Sequence, residues 1–420
     1  MARSRHAAGG LRPDRLLRRL VELLGPTGSA ARQSLVALGF NSATSFAAGA
    51  MLVGFEDTWS RLSPMLILVP AAIGLRGNVF STLGNRLSTS IHTGTFRVSF
   101  KADSVLGQNL LASFSLTLVM SVILAGFAKV LAVALGVVQH VSFLELAMVS
   151  ALGGILGSVV VAAATVLLTI GAVRFEWDLD NLVAPTVSTL GDVITIPALY
   201  LAAQLIGRGN VASVLGGIVV VITAVVAVVS WRTSLELFKE IFRESLPVLA
   251  AALVLSALAG LVLQKQQNLL HLLPALGILQ PAFVSSAGAL GGILCGRIAT
   301  NLHIGSVEPT LAPGAEARRD FSLVFGLAVP LLLFNALGAW LVSLLTGSSG
   351  APGFGWLLST SLLAALVTMA FVAALAYYST IGAWRFNVDP DTYGTPMVTA
   401  SVDFVGTMAL VVVAVALGLI

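Results

Sequence analysis

The sequence predicts an all-α polytopic membrane protein with about eleven transmembrane helices, arranged as two parallel five-helix repeats joined by a linking helix. Three observations support this fold class. Hydrophobic residues make up 57% of the 420 residues and charged residues only 10%, less than half of the roughly 25% charged residues in soluble domains. Eleven segments contain the roughly 20 apolar residues that a spanning helix needs. The two halves of the chain also repeat each other.

The N-terminal region, residues 1–31, is expected to be a basic cytoplasmic segment. Seven of the 23 Lys and Arg residues precede the first apolar segment. Residues 11–24 place leucines on one helical face and arginines on the other, which predicts a short amphipathic helix at the membrane surface. A disordered basic tail is the alternative interpretation.

The apolar segments and the charges between them predict the orientation of the chain. Eighteen of the 23 basic residues fall in the N-terminus and one alternating set of loops, whereas three fall in the other set. Basic loops stay in the cytoplasm, so we expect a cytoplasmic N-terminus and an extracytoplasmic C-terminus. The predicted spans are near 34–55, 62–84, 104–134, 144–171, 183–206, 211–230, 245–263, 272–295, 320–346, 355–381 and 393–420.

A constant offset of 211 positions aligns the two halves. Nine of the 22 residues from 171 to 192 are identical to their counterparts from 382 to 403. The predicted repeats are residues 32–209 and 243–420, and residues 210–242 form the linking helix and a cytoplasmic loop. Because this extra span returns the chain to the cytoplasmic side, the repeats should be parallel, related by a pseudo-two-fold axis along the membrane normal. A second block of matches pairs Arg86, Thr89, His92 and Gly94 with Arg297, Thr300, His303 and Gly305.

Two acidic residues lie deep within predicted spans, at equivalent positions of the repeats. They are Asp192 and Asp403. An aspartate in the middle of a membrane helix costs about 2.5–3.5 kcal/mol, and intramembrane ionisable residues are usually functional. Two carboxylates facing one axis predict a cation-binding site. The alternative is a structural role, in which each aspartate caps a broken helix or pairs with Arg76 or Lys129.

Three further polar residues are candidates for the same site. Ser188 and Thr399 lie one helical turn before the two aspartates, on the same face, although such hydroxyls often bond to their own helix. Asn78 lies in the second predicted span, where two prolines, Pro64 and Pro70, and two glycines, Gly74 and Gly77, predict a local break in the helix. Its amide oxygen could then line the site, or it could bond between helices. Because the equivalent of Asn78 is Ala289, a site that contains Asn78 is asymmetric.

Motifs for soluble enzymes are missing from the sequence. It contains no Walker loop, no dinucleotide-binding fingerprint and no HExxH, so we expect no enzymatic activity. The basic residues are not interleaved with aromatic residues, and we expect no nucleic-acid partner.

Two motifs resemble those of solute carrier family 41, relatives of the bacterial MgtE magnesium channels. The first runs from Pro70 to Thr89 and contains Gly77-Asn78 and Arg86-Leu-Ser-Thr89. The second runs from Trp177-Asp178-Leu-Asp180-Asn181 through Pro185 to Gly191-Asp192. The resemblance covers residues from about 34 to 420.

The resemblance implies Mg²⁺ transport through a pore that the two halves of one chain form, as two chains do in the MgtE homodimer. It implies that Asp192 and Asp403 hold a hydrated Mg²⁺ and that Asn78 lies in the pore wall. The chain would then act as a monomer that is a pseudo-dimer. We find no counterpart of the large cytosolic domains that gate bacterial MgtE, so any regulation is expected within the pore or from a partner.

Other functions remain open at this level. A carrier coupled to Na⁺ or H⁺ could exchange or export Mg²⁺, or could transport an organic solute with the two aspartates as coupling sites. A membrane scaffold or receptor without transport activity is a further alternative. The expected location is the plasma or inner membrane, where the inside-negative potential favours entry of divalent cations.

Overall fold

The described part of the chain is entirely helical in its regular structure. The computed structural model describes residues 27–55, 58–59, 62, 65–134, 136, 141–175, 179–207, 210–265, 274–345 and 352–418. The amphipathic helix expected at residues 11–24 lies outside these residues. The eleven helices are α1 (Thr27–Gly54), α2 (Met65–His92), α3 (Val105–Ala134), α4 (Phe143–Phe175), α5 (Leu179–Ala203), α6 (Val211–Arg232), α7 (Glu236–Lys265), α8 (Pro274–Ile304), α9 (Ala315–Leu345), α10 (Phe354–Arg385) and α11 (Pro390–Ala416).

The predicted class, an all-α membrane protein of two five-helix repeats, is confirmed. Among the described residues, nine helices are long and apolar enough to cross a membrane. The other two helices are α1 and α5, in which the described apolar stretch Thr189–Ala203 of α5 is shorter; they contain the buried polar residues Asn41 and Asp192. Both helices pack inside the bundle, where polar side chains find partners that lipid does not offer. The exact limits 32–209 and 243–420 stay predictions, because helix ends alone do not define a repeat.

The break expected in the second span is not found. Helix α2 is continuous from Met65 to His92 with Pro70 inside it. Pro70 lies in the second turn, where the missing N–H leaves only one carbonyl near the helix start without its intrahelical partner. Pro281 is accommodated in the same way in α8.

The first helix of each repeat packs against the opposite half. Helix α1 contacts α5 of its own repeat but also α8 and α9, and α7 contacts α11 but also α2 and α3. Leu38 and Phe46 of α1 therefore belong to the hydrophobic core of the second half, and Phe238 and Phe242 of α7 belong to that of the first. This exchange of first helices ties the two repeats into one body and surrounds their interface with six helices.

The linking helix α6 lies outside this body, against α3 and α4. Only 17% of its apolar window is buried, as expected for a helix that faces lipid. Its closest approach is at Gly216, where an added Cβ would lie 2.0 Å from the backbone oxygen of Leu144. Only a glycine allows α6 to pack this closely against α4.

We expect Gly216→Ala to destabilise the fold by about 1–3 kcal/mol, because the methyl group must displace backbone atoms rather than a flexible side chain. Thermal unfolding of the purified protein in detergent measures the change. Gly217→Ala is the matched control, since nothing lies within 4 Å of a Cβ at that position. Equal unfolding temperatures for the two variants would contradict the close contact.

Candidate ion site between the two repeats

A cavity of about 110 Å³ lies between the repeats. Residues from α1, α2 and α5 of the first half and from α7, α8 and α11 of the second half line it. About 10–15 Å³ of such space holds one water molecule, so the cavity has room for several. Its polar lining groups are Asn78, Ser81, Asp192, Gln280, Ser285, Thr395, Thr399 and Asp403.

Most residues that line the cavity occupy equivalent positions in the two repeats. Of its twenty lining residues, sixteen form eight pairs that are 211 positions apart. The pair Asp192 and Asp403 is among them, and so are Pro70 and Pro281. A site lined in this way receives equivalent helix faces from both halves, which is the arrangement expected for a path along their common axis. The remaining pairs are Ala48 with Ala259, Val69 with Gln280, Ile73 with Val284, Gly74 with Ser285, Gly77 with Gly288, and Asn78 with Ala289.

Asp192 of α5 accepts hydrogen bonds from both halves. The hydroxyl of Ser45 on α1 lies 3.3 Å from its Oδ2 atom, and the hydroxyl of Ser285 on α8 lies 2.8 Å from the same atom. Ser285 also lies 3.1 Å from Oδ1 of Asn41, to which Thr189 donates at 2.7 Å. Asp192 is only 9% exposed, so these donors replace much of its hydration.

Asp403 of α11 has a related but simpler environment. The hydroxyl of Ser256 on α7 donates to its Oδ2 atom at 2.7 Å. Ser256 is the equivalent of Ser45, so each carboxylate has a serine from the first helix of its own repeat. At the position equivalent to Ser285 stands Gly74, which has no hydroxyl to donate.

Asn78 and Thr399 meet beside the carboxylates. The hydroxyl of Thr399 donates to Oδ1 of Asn78, and it also lies 2.9 Å from the backbone oxygen of Thr395 in its own helix. Both residues line the cavity, and their contact joins α2 of one half to α11 of the other. The side chain of Ser188, the equivalent of Thr399, lies outside the described part of the structure.

The two basic side chains within predicted spans, Arg76 and Lys129, bind backbone oxygens and not the two aspartates. Nε of Arg76, a residue 2% exposed, donates to the backbone oxygen of Gly154 at 3.4 Å. Nζ of Lys129 donates to the backbone oxygen of Val141 at 2.8 Å. Within the described residues neither Asp192 nor Asp403 forms a salt bridge, so the alternative that Arg76 or Lys129 neutralises them is wrong there.

The α2–α11 interface beside the cavity has polar contacts between the halves that the equivalent α8–α5 interface lacks among the described residues. Between α2 and α11, Asn85 donates to Oγ1 of Thr395 at 3.3 Å, and Arg86 donates to Oγ1 of Thr392 at 2.6 Å and lies 3.8 Å from Asp389. At the matching interface of α8 and α5, Ala289, Gly296 and Ala184 replace Asn78, Asn85 and Thr395. Arg297, the equivalent of Arg86, instead pairs with Asp320 of its own half at 2.7 Å.

Sequence reasoning missed the serines and Asn41. Ser45 and Ser256 carried a usable signal, because they are identical residues 211 positions apart inside two spans. Ser285 carried none, since its equivalent is Gly74 and its contact crosses between the halves. Asn41, fully buried in α1, is a polar residue within an apolar segment and could have been noted for that reason.

The comparisons with known proteins match the duplicated architecture. A family model described as MgtE, divalent cation transporter, matches residues 69–202 and again 280–413, and both limits of these segments are 211 positions apart. Together the segments cover more than half of the 420 residues.

The chain belongs to the MgtE family. The chain is also similar to solute carrier family 41 member 3 of Mus musculus, with 24% identity over 392 residues. The match covers 86% of this chain and 77% of the relative. The chain is similar to member 2 of Xenopus laevis, with 26% identity over 391 residues and coverage of 86% and 67%. No solved structure matches it. The resemblance to solute carrier family 41 is thus confirmed, and the MgtE-family chain is a multi-pass membrane protein.

Proposed function

We propose that this protein transports Mg²⁺ along a path between its two repeats and that Asp192 and Asp403 bind the ion. One observation carries the proposal. Two equivalent carboxylates, neither in a salt bridge among the described residues, line a single cavity whose walls come from equivalent positions of both halves. The family to which the chain belongs is described as divalent cation transporters, so we take the transported ion to be divalent.

The chemistry of the cavity suits an ion that keeps its water. Mg²⁺ dehydrates reluctantly and binds proteins through one or two carboxylates and several waters. In the described part of the chain no group of three or more His, Cys, Asp and Glu side chains could hold a metal ion. Two carboxylates with room for water supply what a hydrated Mg²⁺ needs. The amide of Asn78 and the hydroxyls of Thr399 and Ser188 would bind its water molecules.

The remaining features of the proposal follow from the charge pattern and the duplication. The N-terminus is cytoplasmic and the C-terminus extracytoplasmic, in a plasma or inner membrane. One chain acts as a pseudo-dimer, because it already supplies both halves of the path. The membrane potential contributes about 2.3 kcal/mol per charge per 100 mV, so it favours uptake of a divalent ion into the cytoplasm.

We expect the purified protein in liposomes to move Mg²⁺ down its gradient, measured with an Mg²⁺-sensitive dye inside the vesicles. Empty liposomes are the control. Flux that requires Na⁺ or a pH gradient on the opposite side would identify coupled exchange rather than a channel. The absence of Mg²⁺ flux under every gradient would contradict the proposed function.

A further inference from the structure

In each of the two carboxylates, only one of the two oxygens accepts hydrogen bonds from described residues. Ser45 and Ser285 donate to Oδ2 of Asp192, and Ser256 donates to Oδ2 of Asp403. No residue in the described part of the structure donates to Oδ1 of either aspartate. Each carboxylate therefore has one oxygen that the protein covers and one that it leaves for water or an ion.

The opposite half approaches each of these oxygens. At Asp192 the hydroxyl of Ser285 donates to Oδ2 at 2.8 Å. At Asp403 the equivalent position is Gly74, and an added Cβ there would lie 3.0 Å from Oδ2 and 2.9 Å from Oγ of Ser256. Helix α2 therefore passes close to Oδ2 of Asp403 but donates no hydrogen bond to it from this position.

Covering one oxygen restricts how a cation can bind. Ca²⁺ takes six to eight oxygen ligands and commonly uses both oxygens of a carboxylate, whereas Mg²⁺ keeps its waters and uses few protein ligands. Hydrogen bonds from hydroxyls to a carboxylate are charge-assisted and stronger than neutral ones. A cation that uses both oxygens competes with these hydrogen bonds for the lone pairs of Oδ2, whereas a hydrated cation that uses Oδ1 leaves them intact.

We propose that the hydroxyls of Ser45, Ser256 and Ser285 are specificity-determining groups that disfavour Ca²⁺ by competing with two-oxygen coordination to Asp192 and Asp403. The inference rests on the proposed ion site and adds a cause for its selectivity. The serines do not bind the ion themselves. They hold each carboxylate so that a single oxygen is offered.

The test compares the dissociation constants of Mg²⁺ and Ca²⁺, measured by calorimetric titration of the purified chain in detergent. We expect Ser256→Ala to shift their ratio toward Ca²⁺ by roughly tenfold, the value of one hydrogen bond to a charged group. Ser285→Ala should shift it less, because Ser45 still donates to Asp192. The double variant Ser45→Ala with Ser285→Ala should match Ser256→Ala.

Ser286→Ala is the matched control, since Ser286 is the neighbour of Ser285 on α8 and bonds to Ser42 and Asn335 instead of a carboxylate. The ratio of the Mg²⁺ and Ca²⁺ dissociation constants in Ser286→Ala should equal that of the wild type. Ser256→Thr keeps the hydroxyl and should also have the wild-type ratio. An unchanged ratio in Ser256→Ala and in the double variant would overturn the inference, as would a wild type that binds neither ion. Binding with the expected shifts but without Mg²⁺ flux would support the inference and contradict only the proposed transport.

Discussion

Replacing either Asp192 or Asp403 with Ala should reduce Mg²⁺ flux in liposomes by more than about tenfold. At an effective dielectric constant of about 20, a divalent ion and a carboxylate within one hydration shell interact by several kcal/mol, and about 1.4 kcal/mol corresponds to a factor of ten. Within the described residues no third carboxylate lines the cavity, so nothing replaces the lost charge.

Isosteric variants separate charge from shape in this experiment. Asp192→Asn and Asp403→Asn keep the volume of the side chain and can still accept a hydrogen bond from Ser45 or Ser256. We expect them to lose flux as the alanine variants do, because the ion responds to charge. Asp103→Ala, in an exposed loop, should retain wild-type flux. Normal flux in both cavity variants would contradict the assignment of the site.

Gly74→Ala is expected to reduce Mg²⁺ flux severalfold while the protein still folds. The new methyl group would lie 2.9 Å from Oγ of Ser256 and 3.0 Å from Oδ2 of Asp403, closer than such contacts allow. The hydrogen-bonded pair must therefore shift, which misplaces the carboxylate relative to the ion and lowers the rate, although its charge is retained. Flux in liposomes measures the effect, and thermal unfolding verifies the fold.

The control for this substitution is Gly39→Ala in α1. It adds a methyl group to a helical glycine with nothing within 4 Å, so it tests the general effect of alanine in a helix. A Gly74→Ala protein with the flux of Gly39→Ala would show that the close approach of α2 to Asp403 is unimportant for transport.

The sequence was sufficient to predict what depends on periodicity and repetition. Apolar length predicted the helices, and the offset of 211 predicted that Asp192 and Asp403 are equivalent. Contacts between the halves could not be predicted in this way. A helical pattern indicates which face of α1 is buried, but it does not indicate that α1 packs against α8 and α9 rather than its neighbour α2. Ser285 was missed for this reason.

Local rules also failed where tertiary packing decides. Pro70 predicted a broken helix, but its position in the second turn of α2 leaves the helix continuous. Arg76 was a reasonable partner for a buried aspartate, yet its guanidinium is held against α4. An added Cβ at Gly157 would lie 3.1 Å from Nε of Arg76, so a glycine of α4 makes room for this side chain.

The exchange of the first helices has a consequence for the order of synthesis. Helix α1 is made before the other described helices, but α8, against which it packs, begins more than 200 residues after α1 ends. At about 5–20 residues per second, the ribosome needs roughly 10–45 s to produce that partner. During this time the polar face of α1, with Asn41 and Ser45, lacks its final surroundings in the membrane. Helix α7, by contrast, finds α2 and α3 already inserted, so the two halves of a symmetric fold are assembled by different routes.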